Sequence, residues 1–107
     1  MQLNLIVETN DAERLWNAFR LANTALEDGH EVATFLLGVG VEAPDVDTEK
    51  FNPSGVMRLY LNNGGDLAAC GTCMDDRGIE PDELRPRSTM DDLLHLVETG
   101  DRVLTIG

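Results

Sequence analysis

Two cysteines, Cys70 and Cys73, stand three residues apart in the stretch "AACGTC", at the end of an apolar run and inside a glycine-bearing bend. They are the only 2 cysteines in 107 residues. A thiol attacks or carries sulfur as its thiolate, and nearby cations, a helix N-terminus or a CxxC partner lower its pKa from about 8.5 to between ~3.5 and ~7.5. Gly71 and Thr72 permit a tight bend with exposed amide N–H groups, Thr72 offers a local hydrogen bond, and Arg77 is near enough to add positive charge. This pattern predicts Cys70 as the attacking or sulfur-carrying thiol and Cys73 as the thiol that resolves it by disulfide exchange.

Other chemistries compete for the same residues. In a reducing cytosol a cysteine pair is redox-active, sulfur-handling or metal-binding rather than a disulfide scaffold. Two inert, buried thiols are the plain alternative, and their close spacing argues against it. A structural zinc ion needs four ligands; His30 and His95 are the only histidines, neither is spaced as in a zinc finger, and no metal is expected unless subunits share it. Residues 38–43, "GVGVEA", partly imitate a dinucleotide-binding fingerprint, but no helix pattern follows and the next residues are acidic, so no cofactor is expected. The acidic clusters "APDVDTE" and "MDD" read as solvated surface. His30 reads as a packing or capping residue, His95 as a surface or interface one, and Trp16 and Tyr60 as core in preference to a subunit contact.

Composition narrows the partners. Twenty acidic against 8 basic side chains give a formal charge of -12, which repels phosphate backbones and anionic membranes, so neither nucleic acid nor membrane is an expected partner. Seven of the 8 basic residues are arginines. With the acid excess, that bias fits a halophilic host, where concentrated salt screens charge over ~3 Å. No run approaches the ~18 to 20 apolar residues of a membrane span, and the N-terminus lacks the basic start and cleavage site of a signal peptide. A cytoplasmic protein with one domain over residues 1–107 is expected.

The elements that must position the thiols alternate. "LNLIV" (3–7) reads as a strand, and Asn10 with Glu13 as the capping box of a helix whose stripe is Leu15, Phe19, Ala22 and Leu26, stopped at Gly29. "EVATFLLG" (31–38) reads as a strand buried on both faces. Residues 39–53 read as a long polar loop, a lid or partner surface, before Asn52 and Pro53 open a helix carrying Val56, Met57, Tyr60 and Leu61. "DLAAC" (66–70) makes a third strand with Cys70 at its carboxyl end. Ser88 with Asp91 resembles the cap of a helix with Leu93, Leu94 and Val97 inward, and "RVLTI" (102–106) closes the chain as a fourth strand. Such alternation predicts a three-layer α/β sandwich with a mostly parallel sheet covered on both faces, and sites in such sheets form beyond the carboxyl ends of the strands. Thioredoxin-like domains carry CxxC after an early strand, whereas here only one helix and one strand follow it.

In "LNLIVETND", "GHEVATFLLG", "NGGDLAACGTC", "RGI" with its nearby proline, and the closing "DRVLTIG", the chain resembles over its whole length the DsrE/DsrF-like family of small sulfur-relay proteins, which includes YchN-like and TusD-like members. The resemblance implies a Rossmann-like sandwich assembled as a homotrimer or homohexamer. It also implies that Cys70 accepts sulfane sulfur as a persulfide from a donor protein and passes it to an acceptor protein. Cys73 departs from the pattern, since many sulfur-carrier members have a small apolar residue there. The reading is therefore a sulfur-relay protein with Cys70, Cys73 and Arg77 as reactive residues and Gly71 and Thr72 as the supporting bend. Its alternative is a non-catalytic oligomeric scaffold that uses the CGTC motif for redox or metal sensing.

Overall fold

The branched apolar run near the N-terminus forms β1 (Gln2–Val7), an interior strand of a parallel sheet. A computed structural model describes all residues from Met1 to Gly107. After β1 come α1 (Ala12–Glu27), β2 (Glu31–Leu36), a 3-10 helix (Gly38–Asp45), α2 (Pro53–Asn62), β3 (Asp66–Cys70), α3 (Gly71–Asp76), β4 (Arg87–Ser88), α4 (Met90–Thr99) and β5 (Arg102–Ile106). The five strands lie in the order β4-β3-β2-β1-β5, and every pairing between them is parallel. The architecture is thus the expected Rossmann-like three-layer α/β sandwich, with a fully parallel sheet. Parallel pairing puts all five carboxyl ends at one edge, and Cys70 is among them.

Side chains alternate across each strand. Leu3, Leu5 and Val7 of β1 and Val32 and Leu36 of β2 are buried in one core with Leu15, Phe19 and Ala22 of α1 and Met57 and Tyr60 of α2. Phe19 and Tyr60 meet edge to face, with centroids 5.4 Å apart. Tyr60 reads correctly as core: its hydroxyl accepts from Thr34 at 3.1 Å and donates toward the carbonyl of Val32 at 3.1 Å. Trp16 packs on Phe51 instead, with Arg20 stacked 4.3 Å above its ring. On the opposite sheet face Asn4, fully buried, donates to the Leu96 carbonyl of α4 at 2.6 Å and accepts from the Ala33 amide at 3.3 Å.

Several boundaries differ from the sequence reading. The α1 cap is Asp11, which accepts from the Arg14 amide at 2.9 Å; Asn10 donates instead to Glu42. An Asx side chain reaches the amide three residues on, and Asp11 stands one step closer to the helix than Asn10. Gly29 does end α1, with φ +90°. The supposed loop over 39–53 is half helix: Gly40, Val41 and Ala43 of the 3-10 segment are buried. Gly40 is required there, since a Cβ would lie 2.1 Å from the Val7 carbonyl oxygen. Asn52 is at the α2 cap position, but its side chain makes no capping bond, and Asp47 accepts from the Ser54 amide at 3.0 Å instead. In α4 the cap is Thr89, not Ser88. There Leu96 is buried and Leu93 half-buried, while Leu94 and Val97 stay 57% and 43% exposed. The run Leu93-Leu94-His95-Leu96-Val97 offers two stripes of similar hydrophobicity, and anchorage of Leu96 on Asn4 selects one. β4 escaped the sequence reading because two polar residues after a proline carry no strand signal. No helix is long and apolar enough to cross a membrane.

Candidate functional site

β3 is built of small residues, Ala68 and Ala69 before Cys70, and lies between β2 and β4. Cys70 pairs in register with Ser88 of β4. It is both the last residue of β3 and the N-cap of α3: its extended backbone (φ -60°, ψ 116°) hands the chain directly into a helix, and its Sγ accepts from the Cys73 amide at 3.4 Å. The bend read from sequence is therefore the first turn of α3. Gly71 is buried beneath Arg87, and a Cβ on it would come 2.8 Å from the guanidinium carbon. Thr72 is exposed, and its hydroxyl bonds to nothing else in the chain.

The two thiols have different surroundings. Cys70 belongs to the core cluster and is 5% exposed, whereas Cys73 is half-buried; both are free. Cys73 Sγ accepts from the Gly38 amide at 3.2 Å, at a residue whose φ of +56° suits glycine. Burial pushes the Cys73 thiol up, contact with the Cys70 sulfur adds to that, and the Gly38 N–H and the Arg77 charge pull the other way without overcoming it. The helix places Cys73 one turn from Cys70, whose Sγ its own amide reaches.

Arg77 ends α3. Its Nε donates to Glu42 at 3.0 Å and its Nη1 to the Cys73 carbonyl at 3.0 Å, so its charge lies on the Cys73 side of the pair. Sequence reasoning missed Gly38, Glu42 and Arg87. Arg87 donates from Nη1 to the Gly71 carbonyl at 3.3 Å and grips Asp75 with both Nη atoms at 2.8 Å. Arg85, 8% exposed, ties the segment before β4 to the 3-10 helix through the Val41 carbonyl, Asp45 and Asp82. No local motif announces these partners, because they come from other elements.

The remaining candidates fall elsewhere. His30 sits before β2, at the opposite end of the sheet from Cys70, against the Met1 amine at 2.8 Å and Asp28 at 3.3 Å. His95 is exposed on α4. The largest surface depression, lined by Gln2, His30, Asn63 and Asp66 among others, also lies at that far end. The glycines of "GVGVEA" pack against the chain's own Val7 and Glu8. No group of three or more His, Cys, Asp and Glu side chains is arranged to hold a metal ion.

The profile of the DsrE/DsrF-like family matches residues 2–106. The chain belongs to the DsrE/DsrF-like family. It is 38% identical over 102 residues to an uncharacterized protein of Methanocaldococcus jannaschii, covering 87% of each chain. It is 33% identical over 101 residues to an uncharacterized protein of Methanopyrus kandleri, covering 86% of this chain and 81% of that one. Among solved structures, this DsrE/DsrF-like chain superposes on a conserved protein of unknown function from Bacteroides thetaiotaomicron with TM-score 0.80, 18% identity, and coverage of 98% of this chain and 94% of that one. That likeness is one of fold.

Proposed function

We propose that this DsrE/DsrF-like protein is a sulfur carrier: Cys70 accepts sulfane sulfur as a persulfide and passes it to a partner protein, with Cys73 as resolving thiol. The observation that carries the reading is the position of Cys70, at the carboxyl end of β3 and the cap of α3, one helical turn from Cys73. In loading, the Cys70 thiolate attacks the outer sulfur of a donor persulfide; a new S–S bond forms, the donor's S–S bond breaks, and the electron pair leaves on the donor thiolate. In transfer, an acceptor thiolate repeats the exchange on the Cys70 persulfide. In resolution, the Cys73 thiolate attacks Cys70 Sγ, forming the Cys70–Cys73 disulfide and expelling hydrosulfide, and an external dithiol restores both thiols.

The burial of Cys70 and its contact with Cys73 favour a second reading, a dithiol–disulfide pair that senses redox state without carrying sulfur. Intact mass after incubating reduced protein with a sulfane-sulfur donor separates the two. The carrier gains one reductant-labile sulfur atom, mapped to Cys70, lost in Cys70→Ser and retained in Cys73→Ser. A disulfide alone, or equal loading of both variants, refutes the carrier assignment.

A further inference from the structure

Arg77 was the cation singled out beside Cys70 in the sequence, yet its guanidinium is spent on Glu42 and the Cys73 carbonyl. A different arginine borders Cys70. Arg87 precedes Ser88, the register partner of Cys70. Its guanidinium crosses the residue that follows Cys70, where a Cβ on Gly71 would come 2.8 Å from the guanidinium carbon, and donates to the Gly71 carbonyl at 3.3 Å. It is held there by both oxygens of Asp75 at 2.8 Å. We infer that Arg87 is the positioning residue for the anion on Cys70, with Asp75 setting how much of its positive charge that anion feels, and that Arg77 serves Cys73 instead.

This inference rests on the reading of Cys70 as the sulfur-bearing thiol. A thiolate or persulfide anion at the end of a buried strand needs a fixed opposite charge, and a planar guanidinium locked by a bidentate carboxylate supplies one at low entropic cost. The Arg87 charge is stabilised first by Asp75, and Cys70 adds to that stabilisation; Arg87 in turn holds the Asp75 carboxyl below its ordinary range. The charged and titratable groups around the pair are Cys73, Asp75 and Arg77 from α3, Glu42 from the 3-10 helix, Glu8 beyond β1 against Gly38, Glu80 and Arg87 before and in β4, and Asp92 bonded to Ser88. Of these, Arg87 and Asp75 alone form a pair across Gly71. They make opposite electrostatic predictions, which a structural role does not.

The test is the pH–rate profile of iodoacetamide alkylation at Cys70 in the full chain, made on a Cys73→Ser background so that one thiol reports. Arg87→Gln is expected to slow alkylation at pH 7 by about threefold to tenfold, the size of one partly screened charge, and to move the profile to higher pH. Asp75→Asn is expected to move it the opposite way. Arg87→Lys restores part of the rate, and Arg102→Gln, which removes the same charge from the amino end of β5, leaves it unchanged. Shifts of the same sign in Arg87→Gln and Asp75→Asn, or no shift in either, overturn the inference. Sulfur loading is measured in parallel by mass. If the parent protein takes up no sulfur, the carrier reading fails while the alkylation series still decides the role of Arg87. If Arg87→Gln loads and alkylates like its parent, the carrier reading stands and the inference about Arg87 falls.

Discussion

Arg85 offers the sharpest test of how the site is held. Its side chain joins two segments, the 3-10 helix and the stretch before β4: Nη1 donates to Asp45 at 2.6 Å and to the Val41 carbonyl at 3.3 Å, while Nη2 and Nε donate to Asp82 at 2.8 and 3.2 Å. The guanidinium is nearly buried but both carboxylates are about half exposed. Each ion pair is therefore worth nearer to ~1 kcal/mol than the ~3 to 5 lost when a fully buried pair is broken. The Val41 carbonyl, left without this donor, adds about 1 kcal/mol. Arg85→Met keeps most of the apolar stem and should cost about 3 kcal/mol, which in a domain of this size lowers Tm by roughly 12 °C or more. Chemical denaturation and thermal melting followed by circular dichroism read both quantities.

The same variant has a signature in acid. Burial pushes the Asp82 carboxyl up, but its hydrogen bonds and charge contact with Arg85 outweigh that and hold it below its usual range. A carboxyl depressed in the folded state contributes stability above its unfolded pKa, near ~3.9. That contribution is lost as pH falls through the folded value. The acid limb of the stability curve should therefore be shallower in Arg85→Met than in the parent. A loss under about 0.5 kcal/mol, the level of an ordinary surface substitution, together with an unchanged acid limb, would show that Arg85 does not fasten the 3-10 helix to the segment before β4.

Two further substitutions address neighbouring parts of the argument. Gly40→Ala forces a methyl to within 2.1 Å of the Val7 carbonyl oxygen; denaturation should show a loss of about 2 kcal/mol or more as the 3-10 helix lifts from β1, and a neutral outcome would refute that close packing. Tyr60→Phe should cost about 1 to 2 kcal/mol at pH 7 from lost hydroxyl bonds. Burial, aided by Asp66 and opposed by the Thr34 hydrogen bond, raises the Tyr60 pKa above its ordinary value, so its contribution is fully present below the unfolded pKa of ~10 and fades as pH rises beyond it. The parent should lose stability above that pH more steeply than the variant, which an alkaline series of melts would detect.

What was legible in the sequence was whatever near neighbours encode. Alternating branched strands and amphipathic stripes defined a parallel α/β sandwich; "DLAAC" marked β3 to the residue, and with it the placement of Cys70 at a carboxyl end. Gly29 as the α1 stop and Pro53 as the first residue of α2 were equally local, since each depends on the backbone freedom of a single residue. Chemistry of the cysteine pair was suggested by its spacing, its glycine-bearing bend and the nearby Arg77, all of them local features, although the bend proved to be the first turn of α3.

Tertiary structure decided what surrounds that pair. Gly38 meets the Cys73 sulfur across 35 positions of sequence, Glu42 meets Arg77 across 35, and Arg87 meets Gly71 across 16. It also chose Leu93 and Leu96 over Leu94 and Val97 as the inner face of α4, and folded half of a polar loop into a packed 3-10 helix. Each of these outcomes depends on the strand order, which brings the ends of β1, β2 and β4 around β3 and α3. Local hydrogen-bond periodicity carries no information about that order. The sequence by itself therefore specified the layers and located the thiol, whereas long-range packing selected the amide and the arginines that surround it.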